Sequence, residues 1–415
     1  MTKESRRPGS WRRLFMLSLA LVLVACGSPD APPPTATLPA GAAAATATNT
    51  PATQQPAPTS ATSPTELPAP VVATDTPSAI DTTALPPTEA PAAPHPIADI
   101  YGLNGFAADV NPLTGLVVSN PAVLNRRPLA IKISNYPPIV RPQAGLGSAD
   151  LVFEHYAEGG VTRFTAVFYT NDANPVGSVR SGRLIDLEIP RMYDAAFAYS
   201  GSSGPVQQMI RDSVFFDRVI SPDFGHAGFF RVEDPSKPFE HTLFTGTDLL
   251  RFQLDSRGQN VPPNYPVTMS FSQTPPAGTP VNSIEVRYRA TNAYWQYNAA
   301  TGRYARWSDG VVHSDANTGA QLAFRNVIVL GAHHEDTTIL EDFVNGGSYS
   351  IQIQVWGEGP VSIFRDGLRI EGRWVRNNPD EMLTFYDLDG NALPLAPGNS
   401  FIQLVPLGFD GLVTN

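Results

Sequence analysis

The chain has 415 residues, 42% of them hydrophobic and 16% charged, with a formal net charge of −10 at pH 7. So acidic a balance argues against nonspecific binding to nucleic acid or anionic lipid. A single cysteine, Cys26, excludes intrachain disulfides, and its place in a leader leaves no thiol for catalysis or for a thiolate metal site.

The chain opens as a targeting segment. Residues 1–13 are basic, and the apolar run Leu14–Ala25 is too short to span a bilayer as a finished helix. The run ends in "LVAC", the pattern of a bacterial lipoprotein signal, so residues 1–25 are expected to be cleaved and Cys26 to carry lipid. Several acyl chains on one residue suffice for stable anchoring, on the extracytoplasmic face of a membrane. Cleavage would remove five of the 28 Lys and Arg and one of the 38 Asp and Glu, leaving a charge near −14. Residues 26–98 are rich in Ala, Thr, Pro and Ser and lack apolar periodicity, which reads as a disordered tether. Its mean reach would be roughly 45–50 Å.

The remainder is too long for one typical core, so two domains are expected, 99–260 and 261–415. The overall class is α+β: a mixed α/β domain followed by a mostly antiparallel β domain. In the first, "PLAIKIS" (128–134), "DLVFEHY" (150–156), "RFTAVFY" (163–169) and "AAFAYS" (195–200) read as strands. Helices are predicted over "RLIDLEI", stopped by Pro190, over "GPVQQMIRDS", and over "TDLLRFQLDSRG" with Thr247 as cap and Gly258 as stop. From about Pro262 the helical signals give way to short strands and turns. There "YWQYNAATGRYARW" reads as one hairpin whose Tyr294, Trp295, Tyr297, Tyr304 and Trp307 pair across strands. Such a stripe is packing in the first instance and a sugar-stacking platform in the second.

Four clusters could carry chemistry. In "NPVGSVRSGR" (174–183), Arg180, Ser181 and Arg183 follow a strand and precede a helix, among glycines that permit close backbone approach. Unpaired N–H groups and guanidinium forks there suit an anion, and pairing with internal carboxylates is the alternative. In "EHYAEGGVTRF" (154–164), Glu154 and Glu158 bracket a glycine turn before Arg163. Two carboxylates at a loop could serve as acid and base in glycoside cleavage, or simply pair with Arg163. The loop 133–150 offers Asn135, Arg141 and Gln143 after a strand, and "YSGSSGP" offers Ser202 and Ser203 before a helix. His241, in "PSKPFEHTLFT", stands in a proline-bounded loop near Arg231 and could donate to an anion or act as base. "HHED" (333–336) alternates faces along a strand, so it does not chelate one metal, and no metal or cofactor is expected.

Several stretches carry a resemblance. "NPLTGL" (111–116), "RPLAIKISN", "RPQAGLGSADLVFEHYAEGGVTRF", "GSVRSGR" and "FEHTLFT" resemble the N-terminal domain of the YerB-like family of bacterial lipoproteins. "YNAATGRYARWSDGVVHSDANTGAQL" and "LAPGNSFIQLVP" resemble its C-terminal domain. The likeness spans roughly Asn111–Pro406 and implies a lipid-anchored protein of two domains, without implying a reaction; where that family tends to have asparagine after the histidine, this chain has Thr242. The residues together lead to a membrane-anchored envelope protein that binds an anionic ligand: a glycan, a phosphate or a carboxylate. The alternatives are a hydrolase of envelope glycans using Glu154, Glu158 or His241, and a scaffold contacting another envelope protein.

Overall fold

A computed structural model of the chain describes residues 99–103, 105–342 and 347–415. The expected leader, Cys26 and the tether lie outside the described residues.

Long runs of β-branched and aromatic residues build one mixed sheet. Its strands before residue 260 are β1 (Leu129–Ser134), β2 (Leu151–Tyr156), β3 (Thr162–Phe168), β5 (Ala196–Ala198) and β6 (Val219–Ile220), while β4 (Val176–Gly177) lies in a separate small sheet. After β7 (Leu243–Thr245), which pairs with β4, comes a second sheet containing β8 (Ser283–Arg287), β9 (Asn292–Asn298) and β10 (Arg303–Ser308). The chain then returns to the large sheet with β11 (Asn326–Asp342), β12 (Ser348–Gln354), β13 (Gly357–Arg365), β14 (Leu368–Arg376) and β15 (Ser400–Pro406). The order of neighbours is β14–β13–β11–β15–β2–β3–β1–β5–β6, with β12 beside β11. Strand β15 lies parallel both to β11 and to β2. Strands from after residue 260 form one half of this sheet and strands from before it the other half, and the two halves meet where β15 pairs with β2.

Period-two alternation sorts the central strands onto two cores. Phe153, Val167, Ile328, Leu330, Ile402 and Leu404 face one, and Val152, Phe164, Val327, Val329, Phe401 and Val405 face the other. The first core is closed by helical residues including Ile189, Val206 and Ile210, the second by the β8–β10 sheet through Ile284, Trp295 and Tyr304. Being buried on both faces, these strands read as continuous apolar runs.

The fold is mostly strands. The α/β layering expected for residues 99–260 is reduced to short helical pieces: α1 (Ile189–Met192), α2 (Gly204–Arg211) and α3 (Thr247–Ser256), with 3₁₀ turns. In "RLIDLEI", residues Leu184–Leu187 form a 3₁₀ turn, and Pro190 sits inside the first turn of α1 instead of ending a helix. That is a position where a missing N–H costs nothing. At α3 the cap is Gly246, while the Thr247 hydroxyl accepts from Ala173 N (3.0 Å), a tertiary tie that outcompetes local capping. The expected β9–β10 hairpin forms, with Tyr294 opposite Trp307 and Tyr297 opposite Tyr304, while Trp295 lies opposite Arg306 and not an aromatic residue. Trp295 and Tyr304 are fully buried, which makes them packing residues.

Candidate functional site

The "NPVGSVRSGR" stretch is clamped along its length. Gly177 pairs with Phe244, Val179 N donates to Leu243 O (2.7 Å), and Arg180 N donates to Lys132 O (3.0 Å). A Cβ at Gly177 would lie 2.7 Å from the Phe244 ring, so the close approach needs glycine. Arg183 precedes only a four-residue 3₁₀ turn, so the expected helix start is not an anion cradle. Its side chain instead grips both carboxylate oxygens of Glu158, and Nη1 lies 3.6 Å from Glu341. Arg163 joins from β3, its Nη2 donating to Glu158 (2.8 Å) and its Nη1 to Ser181 O (3.0 Å). Burial alone would raise the Glu158 pKa, but Arg163 and Arg183 outweigh it and hold the carboxyl at about 2. Two of the three arginines are thus committed to internal carboxylates.

Arg180 is not. Among the described residues the only hydrogen bond of its side chain runs from Nη1 to the backbone oxygen of Glu240 (3.2 Å), and its buried Nε has no acceptor. His241, next in the chain, is buried with Nδ1 unpartnered. Burial and then the charge of Arg180 lower the His241 pKa, so the ring is neutral at pH 7. The Glu240 carboxylate stands on the rim, more than half exposed, 4.0 Å from His241 Nε2. Arg231 turns away to Phe239 O (2.6 Å) and Thr242 Oγ1 (3.0 Å), stacked on the Phe239 ring. Ser203 donates to Glu341 (3.0 Å), whereas the Ser202 hydroxyl is buried with no hydrogen-bond partner among the described residues.

Beneath the arginines lies a buried network that the sequence reading missed. Lys132 Nζ is 2.7 Å from Asp186 and 2.8 Å from His155 Nε2, while Thr165 donates to Asp186 (2.8 Å). Burial pushes Lys132 down to about 8 despite Asp186, and burial with Lys132 pushes His155 down to about 3. The available signal was an ionisable residue inside each apolar run, Lys132 in "LAIKIS" and His155, beside Glu154, in "LVFEHY".

The other expected cluster lies on the opposite face of the sheet, because Glu154 and His155 alternate along β2. Glu154 is fully buried and accepts from Arg306 Nη2 (2.6 Å), Thr162 (2.9 Å), Asn135 (3.1 Å) and Gln403 (3.3 Å). Gln143 bonds to His313 (2.6 Å), which in turn meets Arg306 (2.9 Å). Arg141 braces Asn135 through its oxygens (3.2 and 3.0 Å) and pairs with Asp309 beside a pocket of about 410 Å³. Asn135, Gln143 and Glu154 form a strut between the two sheets and do not join the Arg180 cluster. Neither glutamate of the expected acid–base pair is left without arginine.

Comparison with known proteins agrees with this architecture. Residues 113–260 match the N-terminal domain, and residues 284–402 the C-terminal domain, of a family described as protein of unknown function (DUF3048). YerB of Bacillus subtilis (strain 168), provisionally named a lipoprotein, is 32% identical over 300 residues, covering 71% of this chain and 86% of YerB. The crystal structure of that organism's YerB is similar with a TM-score of 0.61 at 26% identity, covering 74% of this chain and 99% of the solved one. The chain belongs to the DUF3048 family, together with YerB.

Proposed function

We propose that this protein is a lipid-anchored envelope protein that binds an anionic ligand at Arg180 and His241. The observation that carries the reading is the imbalance at the cluster: Arg163 and Arg183 share Glu158, whereas Arg180 keeps a buried Nε without an acceptor beside the unpartnered Nδ1 of His241. A guanidinium beside a neutral imidazole offers donors to a phosphate, a sulfate or a carboxylate on a glycan or peptide. The same geometry favours binding over glycoside cleavage, since Glu158 is held ionised and Glu154 is sealed against Arg306. Anchoring is supported by the "LVAC" signal and by the likeness to YerB; no helix among the described residues is long and apolar enough to cross a membrane.

Thermal-shift and calorimetric titrations with phosphate, sulfate and a muropeptide test the site. Arg180→Ala is expected to weaken binding roughly ten- to a hundredfold with little change in melting temperature, the loss of one charge-assisted bond. Arg183→Ala should behave oppositely, removing two of the bonds to Glu158, leaving that carboxylate to Arg163 alone and lowering the melting temperature. A large melting loss in Arg180→Ala, with no anion stabilising the wild type, would sink the proposal. Anchoring is tested separately: Cys26→Ser should release the protein from membranes without altering its melting, and continued sedimentation with washed membranes refutes it.

A further inference from the structure

A second site lies away from the arginine cluster. We propose that the cleft of about 380 Å³ between the Thr114–Asn120 turn, Asp150, Thr170, Arg303 and Asn399 binds a saccharide, gripping about one or two sugar rings by their hydroxyl groups. The volume falls at the lower end of the ~300–1,000 Å³ of small-molecule sites.

The walls are braced before any ligand arrives. Asn111 accepts from Leu113 N (2.9 Å) through its side chain and from Gly115 N (2.8 Å) through its backbone. Its amide donates to Asp150 (2.7 Å) and to Thr170 Oγ1 (3.0 Å), tying the "NPLTGL" turn to the floor. Gly115, at φ +66°, lies so near Phe271 that a Cβ would come within 2.5 Å of the ring. Across the cleft Arg303 is aimed by its Nη1, which donates to Asn399 Oδ1 (2.9 Å) and Ala323 O (3.1 Å). Among the described residues no carboxylate pairs with Arg303, and none of them accepts a hydrogen bond from its Nε or Nη2.

The ligand class follows from the mixture of groups. An anion needs donors alone, and Asp150, whose carboxyl oxygens accept from neutral donors including Tyr169 N (2.6 Å), sets acceptor oxygens into the wall. A hydroxyl both donates and accepts, so it suits a lining that alternates a guanidinium, amides such as Asn171 and Asn399, and hydroxyls such as Thr114 and Ser119. The rim adds apolar surface that the fold leaves in water, with Leu116 45% and Val117 70% exposed. That surface matches the C–H face of a sugar ring. None of these residues belongs to the Arg180 site, so the inference stands apart from it.

Saturation-transfer NMR and calorimetry on the full chain in mild detergent, with N-acetylglucosamine and glucose as probes and phosphate as competitor, test the assignment. The expected result is millimolar-range sugar binding that phosphate does not displace. It should weaken at least roughly tenfold in Arg303→Gln and in Val117→Asp, whose exposed position spares the fold, and be unaffected by Arg180→Ala. Absence of transfer from both sugars, displacement by phosphate, or unchanged binding in both cleft variants overturns it.

Discussion

At the scale of single residues, charge burial separates what supports the fold from what could meet a ligand. Lys132, His155 and Asp186 form a buried triad whose histidine faces Lys132, Thr165 and the carbonyl of Tyr156 (3.0 Å). With its pKa lowered from 6.5 to about 3, His155 stays neutral in the folded protein where an unfolded histidine takes up a proton. The unfolded state then binds more protons, so stability is full above pH 6.5 and falls as pH drops towards 3, by about 1.4 kcal/mol per pH unit per proton. Glu158, held near 2 against an ordinary 4.5, adds its own loss only below about 4.5. In the interval between those two onsets the histidines act together, His226, His241, His313 and His334 being lowered as well, while Asp150 and Asp223, raised by burial, act in the opposite sense. Urea unfolding of His155→Gln is expected to show a shallower acid decline than wild type between pH 6.5 and 4.5. Parallel declines would mean that His155 is protonated in the fold.

At the scale of elements, what could be read depended on how local the cause was. The strands β1, β2, β3 and the β9–β10 hairpin were legible because burial and alternation are written in consecutive residues. The helices were less so: whether 184–192 becomes a 3₁₀ turn followed by α1, or whether Thr247 caps α3, is decided by Asp186 bonding back to Arg183 N (2.7 Å) and by Ala173, neither visible in a periodicity. The same limit applied to the site. Glu154, Arg163, Arg180 and His241 were identifiable as chemistry-bearing residues, but not their partners. Arg306, which seals Glu154, is 152 positions away and arrives from another sheet. Arg180 could be told from Arg183 only after Glu158 was seen to take one and leave the other.

At the scale of the whole molecule, the parallel pairing of β15 with β2 makes the N- and C-terminal domains of the family one structural problem. Every residue of β2 from Leu151 to Tyr156 is buried, and strands after residue 260 supply one of its two paired neighbours, β15, together with residues of both cores. Removing them would strip β15 from the edge of β2, take Trp295, Phe324 and Phe401 from the second core, and leave Glu154 buried or flooded without Arg306. An apolar edge of that kind is a template for aggregation. A polypeptide of residues 99–260 alone is accordingly expected to lack a cooperative thermal transition and to associate on size-exclusion chromatography, whereas residues 99–415 should melt in one transition seen alike by far-UV and near-UV circular dichroism. A sharp transition in the shorter polypeptide, near that of the longer one, would show that the shared sheet forms by docking two finished domains and not by folding them together.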